Sequence, residues 1–132
     1  MKAVYPSLSY ALFTVIGIVA LSLLIIWINS YSEDVQGSYA NEQLNYAADV
    51  MRNTVLDVYS LDANALVQVP MPKYIVGRQY SVLLNESKIV LRLDTGKKVI
   101  EVQRTLGINA SLSGRSYAPA TIQMTDGAIR LV

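Results

Sequence analysis

Few residues in this chain are equipped for chemistry. It holds 10 Asp plus Glu and 11 Lys plus Arg in 132 residues, with neither His nor Cys. That composition removes thiol nucleophiles, imidazole acid–base catalysis, disulfides, and metal sites built on Cys or His. The carboxylates have no spacing like that of a calcium loop, and no Gly-rich loop could cradle a phosphate. Ser113-Gly114-Arg115-Ser116 has small residues but lacks the strand–turn–helix frame of a nucleophile elbow, so it reads as a solvated loop. Lys97-Lys98 reads as a solvated hairpin end. We therefore expect no catalytic, cofactor-binding or metal-binding residues, and no enzyme. The chemistry that remains is covalent decoration. Asn85-Glu86-Ser87 and Asn109-Ala110-Ser111 are acceptor patterns for N-linked sugar, both at expected turns, with Asn85 and Asn109 as the acceptors.

The element that would position such a surface is an N-terminal run from Ala3 to Ser32 without a single charge. Between Leu8 and Ile28, thirteen positions are Leu, Ile, Val or Phe. On an insertion scale they favour a bilayer by about 4–8 kcal/mol. A helix core of roughly twenty apolar residues spans a membrane. The net charge of +1 has no basic block behind it, which argues against nucleic acid as a partner. Nine Tyr against one Phe suits half-wet contact surfaces, although Tyr is also a good strand former.

Lys2 is the only charged side chain before Glu33. Positive charge stays cytoplasmic, so the short N-terminus belongs inside and the C-terminal part outside, with Trp27 and Tyr31 near the outer boundary. A cleaved secretory signal does not fit, because the apolar run is long and ends in the bulky Ile25-Ile26-Trp27-Ile28. A basic residue, a small residue and then an immediate apolar helix, here Lys2-Ala3-Val4-Tyr5-Pro6, resembles the processing site of archaeal type IV prepilins. The resemblance implies cleavage between Ala3 and Val4 by a prepilin peptidase, with Pro6 third in the mature chain, where a helix start tolerates proline. Ala3 stands where that family more often has Gly.

Within the apolar helix, Ser7, Ala11, Thr14, Ile18, Ser22 and Ile25 share a stripe about 80° wide. Small and hydroxylated residues let helices approach closely in an apolar medium. Such residues are also common in any membrane helix, and both readings stay open. Downstream, Leu44, Ala47, Ala48, Met51, Val55 and Val58 recur at helical spacing and predict an amphipathic helix. It either continues the first, giving a rod about 80 Å long, or breaks from it at Gly37.

From Asp62 onward the period changes to two. Six short strands are expected: 65–70, 80–84, 88–93, 98–103, 120–124 and 128–132. Short hairpin loops join several of them, and Asp126-Gly127 is the strongest turn signal. The expected fold is α+β. A long apolar helix over 1–31 continues into an amphipathic helix over 32–61, which packs on a small antiparallel β domain, meander or sandwich, over 62–132.

This layout also resembles small archaeal pilin-like proteins, in Val69-Pro70, Gly77, the Tyr80-led strand and the Asp126-Gly127 hairpin closing the chain. The resemblance implies a structural subunit of a surface filament. It would wait in the membrane, be handled by pilus assembly machinery, and then self-associate through its N-terminal helices, with adhesion as the filament's role. The alternative is a single-pass anchored β domain outside the membrane. Such a protein would be a minor pilin or an archaellum accessory or stator-type protein that forms no filament itself.

Overall fold

The computed structural model describes residues 4–132, with side-chain surroundings from Pro6 onward. Helix α1 runs from Val4 to Ser60. It passes through Gly37 without a break, which resolves the choice between one helix and two. A glycine inside a helix costs only about 1 kcal/mol relative to alanine, and the helix-forming residues on both sides outweigh that. The helix stops where Leu61 N–H donates back to the carbonyls of Asp57 and Val58, and Asp62 takes a left-handed φ of 47°, as a C-terminal cap requires.

By compactness the chain divides after Gly37, the second unit being Ser38–Val132. The cause is visible in burial. Every residue from Pro6 to Gln36 is exposed, and the first buried one is Ala40.

In the second unit the helical segment packs on a seven-stranded sheet, giving an α+β arrangement. The strands are β1 (Ala65–Gln68), β2 (Ser81–Glu86), β3 (Lys88–Asp94), β4 (Val99–Thr105), β5 (Ser111–Tyr117), β6 (Thr121–Thr125) and β7 (Ala128–Leu131). Their order in the sheet is β1-β6-β7-β5-β2-β3-β4. Neighbours are antiparallel except β5 and β7, which run parallel. A plain meander is thereby excluded, and one sheet under one helix replaces the sandwich alternative.

The alternation of side chains explains the two layers. Val82 and Leu84 on β2, Ile89, Leu91 and Leu93 on β3, Ile122 and Met124 on β6 and Ile129 on β7 are buried. They form one core with Leu44, Ala47, Ala48, Met51, Val55 and Val58 of α1. Tyr80 and Ile75 close the sheet margin and are also buried.

The seventh strand corrects the sequence reading. Ser113-Gly114-Arg115-Ser116 is not a solvated loop. It lies in β5, in the middle of the sheet, with six register pairs to β2 and three to β7. Only Leu112 supplies a fully buried apolar side chain, so no apolar period announces the strand. Backbone bonding on both sides holds it instead. Gly114 shows why bulk is absent here. Its φ is +124°, and a Cβ would stand 2.9 Å from the Leu131 amide nitrogen. The β6–β7 turn follows expectation, with Asp126 and Gly127 at φ 50° and 79°, as a tight hairpin demands.

Candidate functional site

The N-terminal half of α1 exposes bulky side chains on every side. Leu12, Phe13, Ile16, Leu21, Leu24, Ile26 and Trp27 are all more than half exposed. The stripe residues Ser7, Ala11, Thr14, Ile18, Ser22 and Ile25 are exposed as well, so burial does not set their face apart from the others. Two of the hydroxyls are satisfied within the helix. Thr14 Oγ1 donates to the Tyr10 carbonyl and Ser22 Oγ to the Ile18 carbonyl, each at 2.8 Å. Back-bonding of this kind lets a hydroxyl sit in an apolar medium without needing a partner helix. Trp27 and Tyr31 stack with ring centroids 5.8 Å apart. By length and composition the helix can cross a membrane, which is compatible with membrane anchoring. Of the expected cleavage pair, Ala3 lies outside the described residues, and Val4 is the first residue of α1.

The sheet carries the two sugar-acceptor patterns at one end. Asn85 is a β2 residue rather than a turn residue. It lies between Ser113 of β5 and Lys88 of β3 in the register, and it is exposed. The turn itself is Glu86-Ser87, with Glu86 at φ 51°. Asn109 is exposed in the connection between β4 and β5. The Leu106 N–H donates to the Ser87 carbonyl at 2.9 Å and ties that connection to the β2–β3 turn. Acceptors separated by more than twenty residues therefore share one end of the sheet.

The carboxylates are dispersed. Asp49 Oδ1 accepts from Arg104 Nε at 2.9 Å, while Arg104 Nη2 donates to Asn45 Oδ1 at 2.8 Å. This two-pronged contact pins β4 to α1. Asp94 Oδ1 accepts from the Gly96 amide, and Glu101 Oε1 from Gln103 Nε2. Among the described residues no group of three or more acidic side chains could hold a metal ion. Tyr80 is buried, and its hydroxyl donates to the Pro72 carbonyl. Burial pushes its pKa from 10.0 to about 12, since the phenolate would lose its water.

Sequence reasoning missed the open face of the sheet, on the side away from α1. Lys88 and Arg92 of β3, Arg115 of β5 and Arg130 of β7 occupy its alternate, exposed positions. The register places Leu83 and Val90 side by side between Arg115 and Gln103, and Ser113 beside Arg130. The signal was the period-two placement of the cations. It could not be assembled without β5 and the strand order.

The chain belongs to a family of unknown function, DUF7266, whose signature matches residues 1–131. No curated protein and no solved structure matches it.

Proposed function

We propose that this member of DUF7266 is a structural subunit of a surface filament, built in the manner of a type IV pilin. Its N-terminal helix is held first by lipid and then by the same helix in sister copies. One observation carries the reading: from Pro6 to Gln36 an unbroken helix leaves all its residues exposed. Side chains of that kind each gain about 1.5–3 kcal/mol from full burial. An ordinary anchor needs about twenty apolar residues, and here the same helix also supplies the core of the sheet domain. The reaction proposed for the N-terminus is peptide-bond hydrolysis between Ala3 and Val4, by a prepilin peptidase. The remaining surface chemistry is sugar attachment at Asn109, outside the membrane, and adhesion is the filament's role. Asn85 lies on the open sheet face between Ser113 and Lys88 and carries sugar only where that face is uncovered. The chain itself is proposed to catalyse nothing.

The test uses the protein from its own cells. Mass spectrometry of the native N-terminus should begin at Val4, and electron microscopy of the surface fraction should show filaments with the helices at the axis. A monodisperse, detergent-soluble monomer that retains Met1 overturns the reading in favour of a single-pass anchored domain.

A further inference from the structure

We infer that the domain binds a second copy of this chain head to tail. The outer side of the helical segment after Gly37 in one copy docks on the open face of the sheet in the next. This rests on the self-assembly proposed above but concerns a different surface from the apolar helix.

The outer side of that segment is not the solvated polar face an amphipathic helix ordinarily shows. Ala40, Leu44, Ala47, Met51, Val55 and Val58 are buried against the sheet. At about 100° per residue, the opposite side carries Tyr39, Glu42, Tyr46, Asn53 and Asp57, with Asp49 at its margin already held by Arg104 of β4. Tyr39 and Tyr46 are 54% and 59% exposed. From Ala3 to Ser60 the only Lys or Arg is Arg52, which lies about 100° round the helix from the centre of this side. This ridge is therefore aromatic and acidic.

The open sheet face is its chemical opposite. Across β7, β5 and β2, and on β3 as far as Arg92, the charged side chains on this face are Arg130, Arg115, Lys88 and Arg92. None of the four has a hydrogen-bond or ion-pair partner among the described residues. The two acids of this face, Asp94 and Glu101, stand at the β3–β4 edge and already accept hydrogen bonds within the chain. Glu101 lies opposite Arg92 in the register, so the cationic part of the face is centred on Arg115, Arg130 and Lys88. Between the cations lie Leu83, 37% exposed, and the half-buried Val90. Two tyrosine rings would find apolar contact there, with guanidinium groups placed for stacking on them. Glu42 and Asp57 would find the arginines. Opposite potentials on two surfaces set partner choice and register.

The geometry dictates the kind of assembly. The ridge and the face lie on opposite sides of a two-layer domain, so neither can meet its own kind in this contact. A contact of two different surfaces leaves one of each free on every pair and propagates without closing unless the rotation completes a ring. Two acidic ridges facing each other would instead repel.

The chain has no Cys, so single-cysteine variants of the full-length protein report the contact cleanly. Copies bearing Tyr46→Cys and differently tagged copies bearing Leu83→Cys, co-expressed and oxidised in membranes, should give a mixed disulfide dimer. The doubly substituted chain should give a ladder. Tyr46→Cys alone should give at least tenfold less dimer. Adding either Glu42→Lys or Arg115→Glu to these copies should reduce the mixed dimer about tenfold, and the two together should restore it. Dimers of Tyr46→Cys alone that match the mixed ones, or no cross-link at all, overturn the proposal. So does a sheet face that captures a soluble polyanion such as heparin but forms no mixed disulfide. Failure here is distinguishable from failure of the filament reading. Filaments that begin at Val4 and ignore these charge reversals leave that reading standing and remove this contact. Cross-links without filaments do the reverse.

Discussion

The two halves of α1 belong to one helix and obey opposite rules. From Ala40 to Val58, seven apolar residues face the sheet and reach burial of 2% exposure or less. From Pro6 to Gln36 the side chains are far more apolar, and none is buried. Burial by the chain itself therefore tracks the pattern of apolar residues, not their number. A stripe can be covered by one sheet. A helix apolar all round needs an environment that surrounds it.

The comparison breaks most sharply at the apolar half. Ile18→Lys should disfavour insertion by about 3–4 kcal/mol, since a central Lys costs roughly 2.5–3.5 kcal/mol where Ile contributes favourably. Carbonate extraction should release a larger share of the variant than of the wild type from membranes, while the melting of the sheet domain stays unchanged. A parallel fall in melting temperature would mean the two halves are not independent. The converse substitution is Leu44→Ala, at a site with 0% exposure. It should cost the domain about 3 kcal/mol by loss of buried volume, read by chemical denaturation, and leave membrane retention intact.

Tyr80 sharpens the contrast by pH. Its pKa rises from 10.0 to about 12 on folding, so the neutral form is favoured in the folded state. The associated stability is fully present below pH 10 and is lost as pH rises from 10 to 12. The loss amounts to about 2–3 kcal/mol by linkage. Denaturation curves for Tyr80→Phe should lack that component of the alkaline decline, at the expense of a Pro72 carbonyl left without its donor. A wild-type domain equally stable at pH 10 and 12 would contradict it.

The smallest effect expected is at β5. Gly114→Ala forces a Cβ into the Leu131 backbone at a φ few L-residues adopt, for a cost of about 2 kcal/mol. Hydrogen exchange should show the loss first in β5 and β7. Unchanged protection there would mean the strand pairing is looser than the register implies.

Much of this fold was legible in one dimension. The apolar helix, the amphipathic continuation with Leu44, Met51 and Val55 inward, and the β2–β3 and β6–β7 hairpins follow from period and turn chemistry. β5 did not, because Ser, Gly and Arg at 113–116 carry no apolar alternation. The continuity at Gly37 was undecidable locally, because glycine's penalty is small against the flanking helix. Of the candidate site residues, Ser7, Ala11, Thr14, Ile18, Ser22 and Ile25 could be placed on one helix face from spacing alone. Nothing in the spacing could say that Thr14 and Ser22 bond to their own helix. Asn85 was assigned to a turn because Asn, Glu and Ser all favour turns. Its pairing with Ser113 and Lys88 depends on a strand that could not be read.

Sequence by itself determined that residues 3–32 carry no charge and are apolar enough to cross a membrane, and that the chain changes from helical to extended period near Asp62, since both follow from the order of side chains along the backbone. Only tertiary structure decided that a stretch of small polar residues would become a central strand, that β5 and β7 would run parallel, and that four distant cations would share one open face. Those outcomes depend on which strand edges remain unpaired once the core has formed, and that is a property of the whole sheet rather than of any segment in it.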